Sequence, residues 1–216
     1  MMQLIYVADP MCSWCYGFGP ELLAFLDTVP DAKIDLIMGG LRAYNKQVLD
    51  DATRTTIMGH WQQVAERSGL PFSDTAMLQA GFVYDTEPAC RAVVTARTLT
   101  DDDTGWSALA VFHAVQRGFY AEGRDVRDPV VLSELAVTAM NKVEGGGSFD
   151  AVSFAETLVS PMAMSDTREH FEQAKNWGIR GFPALLLVHD GALHMIASGY
   201  TTRDDLISTF QQLTQQ

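Results

Sequence analysis

Two cysteines three positions apart are the residues whose types and spacing predict chemistry most directly. Cys12 and Cys15 enclose Ser13 and Trp14. In a helix, residues three apart lie on one face, so the two sulfurs can approach bonding distance. Such a pair either cycles between a dithiol and a disulfide or supplies half of the ligands of a zinc ion.

The segments on either side of this pair predict that Cys12 lies at the start of a helix. Residues 3–8 are rich in apolar and β-branched residues, which is typical of a buried strand, and residues 21–26 predict a helix. A helix N-terminus stabilises a thiolate through its free N–H groups and its dipole, and the thiolate is the attacking form of cysteine. We therefore predict that Cys12 is the exposed nucleophile and Cys15 the buried resolving thiol.

Zinc binding is the alternative for the same two cysteines, and the ligand count is against it. A structural zinc ion takes four ligands. Cys90 is the only other cysteine, and the five histidines are scattered without a second paired motif. Cys90 has two interpretations of its own. We favour a small hydrophobe buried on a helix over a third redox thiol beside the pair.

Asp9 and Trp14 also carry two interpretations each. Asp9 suits a turn or a helix cap, and the alternative is electrostatic control of Cys12, because a nearby negative charge opposes thiolate formation. Trp14 either packs over the motif or contacts substrate, since aromatic residues are enriched at binding surfaces. The sequence leaves both pairs of alternatives open.

Composition and charge narrow the range of partners and compartments. The chain has 216 residues and a net charge of −12, which argues against nucleic acid and anionic membranes as partners. No apolar run reaches the length of a membrane span, and no signal peptide precedes the first strand. Three cysteines are too few for a secreted domain held by disulfides. We therefore expect a cytoplasmic protein, either a monomer or a homodimer.

The order of the predicted elements indicates an α/β protein. A strand over 33–38 completes a β-α-β unit, and helices follow almost without interruption from 49 to 171. A further helix, two strands and a last helix complete the pattern. We predict a thioredoxin-like fold formed by residues 1–48 and 165–216, with an all-helical domain inserted at 49–164.

The second half of the predicted sheet follows the inserted helices. Ser165 or Asp166 is expected to cap a helix that ends at Gly178. A strand over 181–188 then leads into a hairpin turn at 189–192, which contains an Asp-Gly pair.

The chain resembles the DsbA-like branch of the thioredoxin superfamily, and more narrowly the cytoplasmic FrnE-type predicted protein-disulfide isomerases. The resemblance covers nearly the whole chain. It rests on residues 9–18 around the cysteine pair, on 119–125 in the helical block and on 178–183. It implies that Pro183 is the cis-proline of the superfamily and faces the cysteines, and that Phe182 offers backbone groups to an extended substrate segment.

A thiol–disulfide oxidoreductase or disulfide isomerase is the activity that this resemblance implies. Cys12 is expected to attack a disulfide in a protein or small-molecule substrate, and Cys15 to resolve the mixed disulfide. The expected substrate contacts are Ser13, Trp14, Phe182 and Pro183. The Cys12–Cys15 disulfide is expected to be the redox centre without a bound cofactor or metal, and glutathione is a candidate reductant. Because Ser13-Trp14 is neither the Pro-His of oxidising relatives nor the Gly-Pro of reducing ones, no redox potential follows.

Two other functions stay open from the sequence. Glutathione-dependent isomerases and transferases of the kappa type share this fold, but the relatives typically have serine in the place of Cys12, so the complete cysteine pair counts against them. A non-catalytic, chaperone-like binding module is the other alternative. Its activity would survive the loss of both cysteines.

Overall fold

The computed structural model describes residues 2–100, 102–144 and 147–215, which form one four-stranded sheet and eight helices. In chain order these elements are β1 (Gln3–Ala8), α1 (Ser13–Leu26), β2 (Lys33–Met38), α2 (Asp51–Ser68), α3 (Glu87–Leu99), α4 (Trp106–Tyr120), α5 (Pro129–Met140), α6 (Ala151–Leu158), α7 (Pro161–Asn176), β3 (Ala184–His189), β4 (Ala192–Ser198) and α8 (Arg203–Thr214). The predicted α/β class, with helices inserted into a thioredoxin-like framework, is confirmed.

The sheet has the strand order β2-β1-β3-β4. β1 pairs with β2 in parallel, as the crossover through α1 requires, and with β3 in antiparallel orientation. β3 and β4 form a hairpin whose two turn residues, Asp190 and Gly191, both have positive φ (50° and 74°). Positive φ at both positions is the requirement of a type I′ turn, so the Asp-Gly signal predicted this hairpin correctly.

Alternate residues of β1 point into two separate cores. Leu4 and Tyr6 belong to the larger core, which also contains the buried face of α1, whereas Ile5 and Val7 belong to a smaller core with Ala174 of α7. This division follows from the two-residue period of a strand. β1 is therefore covered by α1 on one face and by α7 on the other, which explains why its residues are apolar on both faces.

Two predictions about the helices were wrong. α7 begins at Pro161 because the Ser160 side chain accepts a hydrogen bond from the Ala163 amide at 3.1 Å, so neither Ser165 nor Asp166 is the cap. The helical block is also interrupted over residues 69–86, where the chain forms turns and a single bridge to the segment before α2. The division of the chain at 48/49 and 164/165 stays a prediction, and position 165 lies inside α7.

Within the described ranges, no helix is both long enough and apolar enough to cross a bilayer.

Candidate active site

Cys12 and Cys15 occupy different positions in the first turn of α1. Cys12 is the N-cap residue, with an extended backbone (φ −91°, ψ 117°), and its carbonyl accepts a hydrogen bond from the Tyr16 amide at 3.1 Å. Cys12 is 6% exposed, whereas Cys15 is completely buried. Both sulfurs are unbonded thiols. Cys12 is therefore mostly buried rather than exposed as predicted, but it is the more accessible of the two cysteines and lies at the end of the helix where N–H groups are free.

Burial also distinguishes the chemistry of Cys15. Removal from water raises the pKa of the Cys15 thiol well above its usual value, and the neighbouring Cys12 raises it further. A hydrogen bond from the Asp9 amide acts in the opposite direction but is the smaller influence. Cys15 is consequently held as a neutral thiol in the reduced protein.

The loop before β3 brings Phe182 and Pro183 to the cysteine pair. Antiparallel pairing places Ala184 opposite Val7, so the preceding residues reach the end of β1 from which the cysteine motif departs. The Cys12 thiol donates a hydrogen bond to the Phe182 carbonyl oxygen at 3.7 Å. The Phe182–Pro183 peptide bond is cis. The structure thus brings together four of the residues singled out from the sequence, although Cys12 and Phe182 are 170 positions apart.

Trp14 lies on the outer side of the pair and is partly exposed, as is Ser13. The edge of the Trp14 ring contacts Tyr200, with ring centroids 6.1 Å apart, and the Arg67 guanidinium lies 4.9 Å above the same tyrosine ring. The Tyr200 hydroxyl donates to Glu21 of α1 at 3.1 Å. Trp14 therefore packs at the motif and also presents surface beside it, so both interpretations of this residue remain compatible with the structure.

Asp9 is a completely buried carboxylate just before the motif. It accepts hydrogen bonds from the Met11 amide at 2.8 Å, from the Leu41 amide at 2.7 Å and from the Cys90 thiol at 3.4 Å. Burial raises the pKa of Asp9 in spite of these bonds. Asp9 thus fixes the turn that leads to Cys12 and is a titratable group in contact with Cys90.

Cys90 is buried in the first turn of α3, as the favoured interpretation predicted. Burial raises the pKa of its thiol well above the usual value, and the nearby Asp9 carboxylate raises it further. No group of three or more His, Cys, Asp or Glu side chains within the described part of the chain has an arrangement that could hold a metal ion.

Three buried tyrosines lie near the cysteines; Tyr6 and Tyr84 were missed by the sequence analysis, and Tyr120 was noted only as part of the 119–125 stretch. Tyr84 donates a hydrogen bond to the Met11 carbonyl at 2.5 Å, and the ring of Tyr120 stacks on Tyr16 with centroids 4.9 Å apart. Tyr6 lies on the face of β1 that is covered by α1. The available signal was weak: Tyr6 is one apolar-looking residue in a strand, and the stretch 119–125 stood out only by resemblance.

The comparisons with known proteins agree on the family. The sequence profile of the DSBA-like thioredoxin domain matches residues 3–208. A candidate protein disulfide isomerase from Nitrosomonas europaea is 32% identical, with a TM-score of 0.85 and coverage of 99% of this chain and 98% of that one. No curated protein sequence matches the chain.

Two further solved structures are similar over the whole chain. The cytosolic disulfide reductase DsbM from Pseudomonas aeruginosa is 28% identical, with a TM-score of 0.75 and coverage of 99% and 98%. A 2-hydroxychromene-2-carboxylate isomerase, 15% identical with a TM-score of 0.61 and coverage of 99% and 95%, shares the fold alone. Since the profile extends over nearly the whole length, the chain belongs to the family of DSBA-like thioredoxin domains.

Proposed function

We propose that this protein is a cytoplasmic thiol–disulfide oxidoreductase in which Cys12 is the nucleophile and Cys15 the resolving thiol. The contact between the Cys12 sulfur and the Phe182 carbonyl carries the proposal. It places the more exposed thiol, at a helix N-terminus, against backbone groups that can pair with an extended substrate segment. Ser13 and Trp14, both partly exposed, follow Cys12 directly in the motif.

The proposed exchange proceeds in two displacements. The Cys12 thiolate attacks one sulfur of a substrate disulfide, forms a mixed disulfide and releases the other substrate sulfur, which takes up a proton. Cys15 then loses its proton and attacks the Cys12 sulfur. The mixed disulfide breaks, the second substrate sulfur leaves as a thiol, and the Cys12–Cys15 disulfide holds the two-electron oxidation.

Reduction or isomerisation is the proposed net direction. In a reducing cytoplasm the pair rests mostly as the dithiol, and glutathione is the reductant that we propose for its regeneration. Two observations support this assignment. The P. aeruginosa relative is described as a cytosolic disulfide reductase, and its structure with GSH is 26% identical with a TM-score of 0.74 over 99% of this chain and 100% of that one. We propose protein or small-molecule disulfides as substrates for a monomer or homodimer.

Disulfide exchange by single-cysteine variants tests the proposal. The reduced protein should reduce insulin and oxidised glutathione. Cys12→Ser should abolish both reactions, whereas Cys15→Ser should stop after the first displacement and accumulate a mixed disulfide on Cys12, which intact-mass spectrometry detects. Cys90→Ala is the matched control, because it removes a buried thiol outside the pair and should retain most activity.

Four results would count against this assignment. Full exchange by Cys12→Ser would remove its nucleophile. Loss of activity in Cys90→Ala without unfolding would make Cys90 a third redox thiol. Binding of unfolded proteins that persists in a variant without Cys12 and Cys15, together with no exchange by the wild type, would favour the chaperone-like alternative. Consumption of glutathione with small electrophiles would favour the kappa-type alternative.

A further inference from the structure

The Tyr6 hydroxyl is a buried polar group that the two displacements leave without a role. Tyr6 is completely buried on β1, and its ring packs against Phe18 of α1 and Phe112 of α4, with centroids 6.0 and 5.5 Å away. Its hydroxyl makes no hydrogen bond of standard geometry in the described part of the chain. Burial of an unpartnered hydroxyl is unfavourable, so such a group calls for an explanation.

Cys15 is the neighbour that supplies one. Tyr6 points to the face of the sheet that α1 covers, and Phe18, which its ring contacts, lies one helical turn after Cys15. Burial raises the pKa of the Tyr6 hydroxyl, and the adjacent Cys15 and Cys12 thiols raise it further. The tyrosine is therefore a neutral hydrogen-bond donor next to a completely buried thiol that must become an anion.

We propose that Tyr6 is a catalytic residue whose hydroxyl donates a hydrogen bond to the Cys15 sulfur as it becomes a thiolate during the resolving displacement. The inference rests on the proposed thiol–disulfide exchange and assigns a donor to its second step. The Cys15 proton leaves to solvent or to the departing substrate sulfur, while the tyrosine keeps its own proton. The bond that forms is Cys12–Cys15, and the bond that breaks is the mixed disulfide.

A hydrogen bond to the thiolate has two opposing effects on the rate. Loss of one hydrogen bond to a charged group typically changes proton affinity by about tenfold, so Tyr6→Phe should leave about a tenth as much Cys15 thiolate at neutral pH. A thiolate of higher pKa is also a better nucleophile, which restores about threefold of that loss. The resolving step should therefore be about threefold slower at neutral pH, and about threefold faster at alkaline pH where Cys15 is ionised in both proteins.

The pH profile of the resolving step is the test. Reduced wild type and Tyr6→Phe are mixed with oxidised glutathione and quenched in acid at timed intervals. Mass spectrometry then separates the reduced, glutathionylated and internally oxidised forms, which gives one rate constant for each displacement. The titratable groups that face Cys15 in the described structure are Tyr6, Cys12 and Asp9, and only the first is changed.

Tyr120→Phe is the matched control. It removes another completely buried hydroxyl that makes no hydrogen bond of standard geometry in the described residues; after burial, Tyr84 and then Cys12 raise the pKa of Tyr120, and Cys15 is not among the neighbours that do so. We expect its resolving profile to match the wild type. For Tyr6→Phe, we expect the rate constant of the first displacement by Cys12 to be unchanged. The pH profile of its resolving step should cross that of the wild type.

Direct titration of Cys15 provides a second measurement. In a Cys12→Ser background, thiolate absorbance should show that Tyr6→Phe lowers the acid dissociation constant of Cys15 about tenfold. A Tyr6→Phe resolving profile that coincides with the wild type, or an equal slowing of both displacements, overturns the role of Tyr6. Absence of any exchange by the wild type overturns the proposed function instead, and the Cys15 titration still tests the hydrogen bond.

Discussion

One helical turn separates the two sulfurs into unequal chemical environments. Cys12 caps α1 with 6% of its surface exposed, and Cys15, one turn inside the helix, is completely buried. The sequence predicted this difference, because the expected helix start puts Cys12 at the helix end and Cys15 one turn inside the helix. The contacts of Asp9 with Leu41 and Cys90 could not be predicted in the same way, since they join residues that are 32 and 81 positions apart.

Alkylation should discriminate among the three cysteines. Cys12 should react with iodoacetamide much faster than Cys15 and Cys90, because the latter two are completely buried and burial raises the pKa of both thiols. Timed labelling of the reduced protein, followed by peptide mass spectrometry, gives the three rates. Labelling of Cys15 before Cys12 would contradict the assignment of the nucleophile.

Asp9 should give the protein a measurable pH dependence. Its pKa in the folded protein is raised above 3.8 by burial, so the folded protein retains a proton that the unfolded chain has already lost. The contribution of Asp9 to stability therefore falls as the pH rises from 3.8 through the folded-state pKa. The free energy of unfolding of wild type minus that of Asp9→Asn should decrease over this window. A difference that increases with pH would show that the hydrogen bonds to Asp9 outweigh its burial.

At the scale of elements, the caps and turns decide where the chain changes direction. Local signals predicted β1, β2 and the β3–β4 hairpin, because alternation and an Asp-Gly turn act over a few residues. They did not predict the start of α7, since Ser160-Pro161 and Ser165-Asp166 both resemble helix starts. In the structure Ser160 caps α7, and Ala163, which precedes the expected start, is buried in the first turn of the helix.

Two serine substitutions test which of the two sites caps α7. Ser160→Ala should lower the free energy of unfolding by about 1 kcal/mol, because the Ala163 amide loses its acceptor. Ser165→Ala, at an exposed position inside α7, should be neutral or slightly stabilising, because alanine has the higher helix propensity. Urea unfolding of both variants is sufficient. A larger loss from Ser165→Ala would restore the boundary that the sequence suggested.

The end of β2 supports the loop that faces Cys12. A side-chain carbon built on Gly39 would overlap the ring of Phe182, whose carbonyl accepts the Cys12 hydrogen bond. Gly39→Ala should therefore displace Phe182, slow disulfide exchange and lower stability by about 1–3 kcal/mol. In a Phe182→Ala background the same substitution should cost much less, which a double-mutant cycle measures. Equal costs in the two backgrounds would show that this contact does not position the loop.

For the whole molecule, the sheet joins the first residues of the chain to the last strands. β1 pairs with β2 through a short crossover, a pattern that the sequence predicted directly. Its pairing with β3 brings together segments about 180 residues apart, and only the resemblance indicated that order. The helices between them have to return the chain to the sheet, and α7 completes this return by covering the opposite face from α1.

The free energy of unfolding should fall on mild acidification, because the contact between α7 and β2 contains a histidine that is neutral in the folded protein. His170 of α7 accepts a hydrogen bond from the Met38 amide at 3.3 Å, and the Arg97 guanidinium lies 3.4 Å from its other ring nitrogen. Burial and this cation lower the pKa of His170 from 6.5 to about 4. The unfolded chain therefore binds a proton first, and stability present above pH 6.5 is lost as the pH falls towards 4, by roughly 3 kcal/mol.

Two variants test this acid dependence in the isolated protein. His170→Gln retains an acceptor for the Met38 amide but cannot titrate, so the free energy of unfolding should depend less on pH between 6.5 and 4. Arg97→Gln removes the neighbouring cation, which should raise the pKa of His170 and flatten part of the same slope. Denaturant unfolding at several pH values supplies the slopes. If the free energies of unfolding of His170→Gln and the wild type fall in parallel with pH, groups other than His170 cause the acid dependence.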